Sequence, residues 1–335
     1  MTVANSVSRR EDERVAREIL ARLKVVVEPA LDAALARVSP ELHGALGYHF
    51  AGGGKFVRAG LTLLCASAAG ADESVALDGA VAIELIHNFS LIHDDIIDRD
   101  VERRHRQSVW AQYGIGPAII AGDALSTLAV QLLLERPSPA RQAAATRLAD
   151  ATQEMIRGQS EDMAAESRSS LSVAECLAVA DGKTAALLSG ACALGALLAD
   201  APAPVTEAMS DFGRHLGLAF QAIDDVLGIW GEARLTGKPI GNDLRRRKKT
   251  LPVSFAHALG VDVYATLASV DAELSDEDVA RITAMLDDGG ARQATIDLGE
   301  DELRAALGAL DRVTLRDPAR AELVAVARYV VGREQ

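Results

Sequence analysis

Apolar residues return at helical spacing along most of this chain. Val15, Ile19, Leu23, Val26 and Val27 follow that repeat and predict an amphipathic helix over 11–38, kinked or split at Pro29 and ended by Pro40. Residues 1–10 lack the pattern and are expected to be a loose tail. A more apolar run begins near Ser74 and closes on acids: Glu84-Leu-Ile-His-Asn-Phe-Ser-Leu-Ile-His-Asp-Asp-Ile-Ile-Asp98. Further helices are expected over 116–134, 138–166, 171–199 (broken near Asp181-Gly182) and 212–230. From Leu251 the chain reads as helical, with breaks near Gly299 and Pro318. No linker separates two compositions, so the expectation is a single domain over residues 1–335.

Composition sharpens the class. Of 335 residues, 49% are hydrophobic but only 4% aromatic, and Ala and Leu abound. Strands favour β-branched and aromatic residues, so this balance points to packed helices and an all-α fold. A net charge of −13 argues against a nucleic-acid partner and suits a site that gathers divalent cations. No run of about 18 uninterrupted apolar residues occurs, so no transmembrane segment is expected. The polar N-terminus has no signal-peptide core. Cys65, Cys176 and Cys192 are scattered without metal spacing, which suggests a reducing compartment and a cytoplasmic protein.

Candidate chemistry sits at the ends of two helices. Asp94 and Asp98 are one turn apart and share a face, with Asp95 beside them and His87 two turns earlier. Like charges at that spacing repel, so a cation should bind there. Few hard oxygen ligands on one face suit Mg²⁺ that takes its other ligands from water and substrate phosphates. Arg99, Arg103, Arg104 and Arg106 follow at once, and arginine forks match phosphate oxygens. Upstream, Gly52-Gly-Gly-Lys-Phe-Val-Arg58 reads as a diphosphate cradle in which Lys55 and Arg58 face one ligand. Downstream, Gln221, Asp224 and Asp225 repeat the acidic theme, followed by Gly237-Lys-Pro-Ile-Gly-Asn-Asp243 and the basic run Arg245-Arg-Arg-Lys-Lys249. Lys183 and Thr184 open a helical run and could hold phosphate. The plainer alternative for each of these is a solvated helix end or turn. Two acid clusters with cations after each ask for a diphosphate substrate and several Mg²⁺ ions.

These motifs, in this order, resemble the trans-prenyltransferases, or polyprenyl synthetases, from about Gly52 to Pro252. The residues that carry the resemblance are Gly53-Gly-Lys-x-x-Arg58, Asp94-Asp-x-x-Asp98 with Arg103-Arg104, Gly122-Asp-Ala124, Gly158-Gln-x-x-Asp162, Lys183-Thr184, and Phe220-Gln-x-x-Asp-Asp225 with Gly237-Lys-x-x-Gly-x-Asp243. The resemblance implies an isoprenoid-synthase helical bundle around a central cavity, usually a homodimer. It implies condensation of isopentenyl diphosphate with an allylic diphosphate of five to fifteen carbons, with three Mg²⁺ per active site. Lys55, Arg58, His87 and Arg104 would hold isopentenyl diphosphate. Asp94, Asp98 and Asp224 would ligate Mg²⁺, with Asp95, Asp225 and Asp243 in support. Arg103, Lys183, Thr184, Gln221, Lys238 and Lys248 would contact the allylic side. No protein nucleophile is needed, because the leaving diphosphate yields an allylic cation that the isopentenyl double bond attacks.

In this family the residues four and five before the first Asp limit product length. Here they are Ser90 and Phe89, a pair that looks like the C20-forming type, with C15 close behind. Three departures from the family pattern stand out: Gly228 in place of the last Asp of the second cluster, His105 where Gly is common, and Phe56 with Ala59 in the first motif. A class I terpene cyclase is the nearest competing enzyme, but Arg246 and Thr250 interrupt the metal motif that begins at Asn242-Asp243. A non-catalytic subunit of another prenyltransferase is the non-enzymatic alternative.

Overall fold

The computed structural model describes residues 3–231, 240–270 and 272–332, with side chains described from Glu13 onward. The all-α expectation holds: among the described residues, the only strands are a two-residue pair. α1 (Val3–Leu35) starts inside the stretch expected to be a tail, where no Gly or Pro opposes a helix. It also continues through Pro29. Leu23, Val27 and Leu31 are buried on both sides of the proline. Burial worth about 1.5–3 kcal/mol for each outweighs the roughly 3 kcal/mol that an interior proline costs.

A short 3₁₀ turn leads to α2 (His43–Phe50), and a glycine loop joins it to α3 (Val57–Ala68). α4 (Leu77–Ile97) ends at the hairpin of β1 (Glu102–Arg103) and β2 (Arg106–Gln107). Next come α5 (Val109–Tyr113), α6 (Ile115–Leu134) and α7 (Pro139–Glu166). α8 (Val173–Ala180) and α9 (Ala186–Leu198) are joined without the expected break. Residues Asp181–Ala185 widen instead into one π turn. α10 (Ala203–Trp230) follows. Among the described residues, six more helices follow: α11 (Asn242–Arg245), α12 (Leu251–Ala258), α13 (Val263–Ala268), α14 (Asp276–Asp288), α15 (Ala291–Asp311) and α16 (Ala319–Val331).

The contacts divide into two compact units, each assembled from separate stretches of sequence. The first comprises Met1–Thr152, Leu187–Gly213 and Ala309–Tyr329. The second comprises Gln153–Ala186, Arg214–Gly308 and Val330–Gln335. In the first, α4 packs against α6, α3 and α1. Leu61, Leu63, Ile83, Leu85, Ile86 and Leu125 are fully buried there. In the second, Ile229, Leu244, Val253, Val263, Ile282 and Leu286 form the main core.

No transmembrane segment is expected from uninterrupted apolar runs, yet by length and composition alone some helices qualify. Three stretches are long and apolar enough: Glu73–Ile97, Ile115–Leu134 and Val173–Leu198. None is an unbroken apolar run, which is why counting uninterrupted residues missed them. Inside the protein, 61%, 44% and 67% of these windows are buried, in that order. Helices apolar on most faces are what a crowded helical core requires.

Candidate active site

The acids of the first unit stand at the end of α4, where the chain turns sharply. Arg99 adopts the left-handed conformation (φ 56°). The Asp100 N–H donates to the Asp95 carbonyl at 2.9 Å and the Arg99 N–H to the Ile96 carbonyl at 3.3 Å. That pair of bonds is a Schellman cap, so the helix stops just beyond Asp94 and leaves Asp98 as the cap residue. Asp94 and Asp98 remain partly exposed, one turn apart as the spacing predicts. Asp95 is only 1% exposed and is clamped by Arg103, whose Nε lies 2.9 Å from both carboxylate oxygens. Burial raises the Asp95 carboxyl above its usual range, with Arg103 opposing.

Arg103 and Arg106 pair across the hairpin, and Arg104 and His105 form its two-residue turn, both at positive φ. This is the backbone of a type I′ turn, which explains why His105 stands at a glycine-type position. The hairpin docks on α2: Arg106 lies over the Tyr48 ring at 4.2 Å, and the Tyr48 hydroxyl donates to the Gln107 carbonyl at 2.9 Å. Arg104 thereby meets the glycine loop. A Cβ on Gly52 would touch its Cδ at 3.9 Å, and one on Gly54 its Nη1 at 3.9 Å. Burial and the adjacent Arg103 make the Arg104 charge costly, and a bound anion would relieve that cost.

Next to this loop, the Arg58 guanidinium donates to His87 Nε2 at 3.3 Å. Burial and four neighbours, Arg58, Arg104, Arg103 and His49, hold His87 well below its usual pKa. His87 is therefore neutral, with its proton on Nδ1. Lys55 lies over the Tyr329 ring at 5.6 Å. Beneath these groups runs a buried chain absent from the sequence reading. Asn88 donates to the Glu84 carbonyl at 2.8 Å, which turns its side-chain oxygen toward His49 Nε2, also at 2.8 Å. Glu84 offered the one signal that could have found this chain: a lone carboxylate within an apolar helical run.

In the second unit, α10 presents Asp224 outward and buries Asp225. Gln221 donates to Asp225 Oδ1 at 2.7 Å and the Leu251 N–H donates to Oδ2 at 2.9 Å. Thr184 in turn donates to Gln221 at 2.7 Å. Burial pushes Asp225 up to about 7. Both acid pairs therefore share one plan: the first Asp is accessible, the second is buried and bonded. Lys183 pairs with Asp162 at 2.5 Å. It leaves the π turn where Gly182 crosses Gly158, and a Cβ on Gly158 would collide with that backbone. Gly228 faces Asp243, which lies 4.0 Å from Lys248. Lys238 lies outside the described residues.

The basic run 245–249 is largely structural. Arg247 donates to the carbonyls of Leu267, Val270 and Ala272, and Arg245 to that of Leu274. Lys249 donates to the Glu166 carbonyl at 3.0 Å. Helix and loop ends leave carbonyls without partners, and these cations satisfy them.

A polyprenyl synthetase family model matches residues 39–285. The chain belongs to the polyprenyl synthetases. It is 42% identical to the (2E,6E)-farnesyl diphosphate synthase of Mycobacterium tuberculosis over 92% of this chain and 91% of that protein. It is 37% identical to the geranylgeranyl diphosphate synthase of the same organism, over 94% and 93%. The solved polyprenyl synthetase of Streptomyces coelicolor A3(2) superposes with a TM-score of 0.90 at 40% identity, covering 94% of this chain and 99% of that one. The fold is therefore the isoprenoid-synthase fold and the protein is a prenyltransferase.

The donor set of this prenyltransferase fits Mg²⁺. Among the described residues no cluster of three or more metal-binding side chains is preassembled. Asp94 with Asp98, and Asp224 by itself, are hard oxygen donors that leave most coordination positions to water and phosphate. Mg²⁺ adopts that arrangement, whereas a structural zinc site requires a complete protein cage.

Proposed function

We propose that this prenyltransferase condenses isopentenyl diphosphate with an allylic diphosphate of five to fifteen carbons, giving mainly a C20 diphosphate with C15 next. The observation that carries this reading is the cationic cradle of the first unit. Arg58, neutral His87 and Arg104 beside the glycine loop make a diphosphate site distinct from the acids. A chain-elongating enzyme needs such a site for its second substrate, and a cyclase has no use for it.

In this reading Lys55, Arg58, His87 and Arg104 hold isopentenyl diphosphate. His87, kept neutral with Nδ1 protonated, is a hydrogen-bond donor to an anion and adds no charge. Asp94, Asp98, Asp224 and Asp243 hold Mg²⁺, three ions per site. Bound Mg²⁺ supplies charge neutralisation for the leaving diphosphate. Asp95 fixes Arg103, and Asp225 fixes Gln221 and Thr184, so that these groups meet the substrate already oriented. Lys183, Lys238 and Lys248 add positive charge on the allylic side. Phe89, with small Ser90 beside it, limits the growing chain.

We also infer a homodimer that acts in the cytoplasm. Ile115, Ile119 and Ile120 of α6 are 53%, 41% and 57% exposed, a row of aliphatic surface that a second copy would cover. Free, buried cysteines at all three positions suit a reducing compartment. The test is incubation of purified protein with Mg²⁺, isopentenyl diphosphate and each of the C5, C10 and C15 allylic diphosphates, followed by mass spectrometry of the dephosphorylated products. A C20 alcohol is the expected result. A uniformly C15 or much longer product would overturn the length assignment, and failure of every primer to elongate would overturn the reaction.

A further inference from the structure

We infer that His93 is a positioning residue for product length: it fixes the ring of Phe89 and so sets where chain growth stops. This inference rests on the proposal that Phe89 limits the product.

Phe89 and His93 are one turn apart on α4 and therefore share a face. Their rings meet edge to face, with centroids 4.8 Å apart and planes at 71°. That geometry is the favoured one for an aromatic pair. The imidazole is itself anchored. His93 Nε2 lies 3.1 Å from the Ile119 carbonyl of α6. A carbonyl only accepts, so Nε2 carries the hydrogen and the ring is oriented by a rigid backbone group.

Gly122 explains how the imidazole reaches that carbonyl. A Cβ at this position would collide with the imidazole at Nε2, with Cδ2 and Cε1 also within contact range. Only glycine leaves the notch in which His93 lies against α6. α6 packs extensively on α4, so the notch, the imidazole and the phenyl ring form one connected stack. Phe89 is only partly buried. Without the imidazole edge, its ring gains rotamers that no longer block a growing chain.

The inference also gives Gly122 of the Gly-Asp-Ala motif a function separate from phosphate or metal binding. It predicts that two changes with opposite local effects, emptying the His93 site and filling the Gly122 notch, have the same consequence for product length.

The experiment is a double-mutant cycle read as product length, on purified full-length enzyme with Mg²⁺, isopentenyl diphosphate and the C15 primer. The variants are Phe89→Ala, His93→Ala, the double variant, and Gly122→Ala as an independent route to the same displacement. Phe89→Ala is expected to lengthen the product. His93→Ala and Gly122→Ala should each raise the fraction of product longer than the wild-type main species by about fivefold, the scale of one aromatic edge-to-face contact. In the Phe89→Ala background, His93→Ala should add nothing, because it acts through the missing ring. A general loss of rate through neighbouring Asp94 would not move the length distribution. If Phe89→Ala lengthens the product while His93→Ala and Gly122→Ala leave it unchanged, the positioning role is wrong and the reading of Phe89 survives. If His93→Ala lengthens the product equally in both backgrounds, it acts independently of Phe89 and the inference also fails. If Phe89→Ala has no effect, both are wrong.

Discussion

Gly228 is a glycine because Asp243 occupies the space its side chain would take. A Cβ there would collide with the Asp243 carboxylate at Oδ2 and Cγ. The missing third acid of the second cluster is thus a gap filled from the following segment. Restoring the family residue should therefore harm the enzyme. Gly228→Asp, and to a lesser degree Gly228→Ala, would displace Asp243 at an overpacking cost of about 1–3 kcal/mol. The Mg²⁺ concentration for half-maximal activity should rise roughly tenfold, the equivalent of about 1.4 kcal/mol. A Mg²⁺ titration of activity checks this, and tighter Mg²⁺ dependence in Gly228→Asp would count against it.

Arg247 sits in a basic run yet spends its guanidinium on backbone carbonyls of Leu267, Val270 and Ala272. Arg247→Ala would remove these hydrogen bonds, two of them part-buried, at about 0.5–1.5 kcal/mol for each part-buried bond lost. The folded variant should keep KM for both diphosphates within about threefold of wild type, a difference below 1 kcal/mol. Chemical denaturation together with steady-state kinetics separates the two effects. A selective rise in one KM at unchanged stability would make Arg247 a phosphate ligand after all.

His49 should make the fold sensitive to acid. Burial lowers its pKa from 6.5 to about 4, its hydrogen bond to Asn88 opposes that fall, and Arg104 and Arg103 add to it. Between those values the unfolded chain binds a proton that the native protein refuses. Stability is therefore present above pH 6.5 and is lost as pH falls toward 4, by roughly 3 kcal/mol in full. His87, also held low, contributes in the same direction. Unfolding free energies measured at pH 7, 5.5 and 4.5 should fall steeply in the wild type and less steeply in His49→Gln. Equal slopes in the two proteins would contradict the assignment.

His105 pays for its left-handed backbone, with φ at 60°. A non-glycine residue there costs about 1–2 kcal/mol, partly offset by the smaller entropy it loses on folding. His105→Gly should raise stability by about 0.5–1 kcal/mol and leave the Asp95–Arg103 clamp intact. A lower melting temperature would show that the histidine ring makes a contact of greater value.

Much of this was legible in the sequence because the signals were local. The paired acids of α4 and α10 announced themselves by spacing, and the glycine loop by its run of residues without Cβ. Three kinds of feature were not legible. The His49–Asn88–Glu84 chain joins residues distant in sequence (His49 and Asn88) that no motif links. The basic run 245–249 reads as a phosphate site, because one dimension does not reveal the carbonyls of 267–274 folded against it. The continuity of α8 through the π turn depends on Gly158 meeting Gly182, a crossing that periodicity cannot show. α1 runs through Pro29 for a related reason: local propensity is overruled by burial on both sides.

The most direct test of the account is the turnover of Asp94→Ala and Asp224→Ala, assayed with isopentenyl diphosphate and the C15 primer with and without Mg²⁺. Wild-type enzyme should require the metal. Each variant should lose about 10³-fold in kcat, the scale set by losing one group that stabilises developing charge, while remaining folded. Turnover within tenfold of wild type in either variant, or undiminished wild-type activity in excess chelator, would contradict the assignment of the accessible first Asp of each pair to the metal.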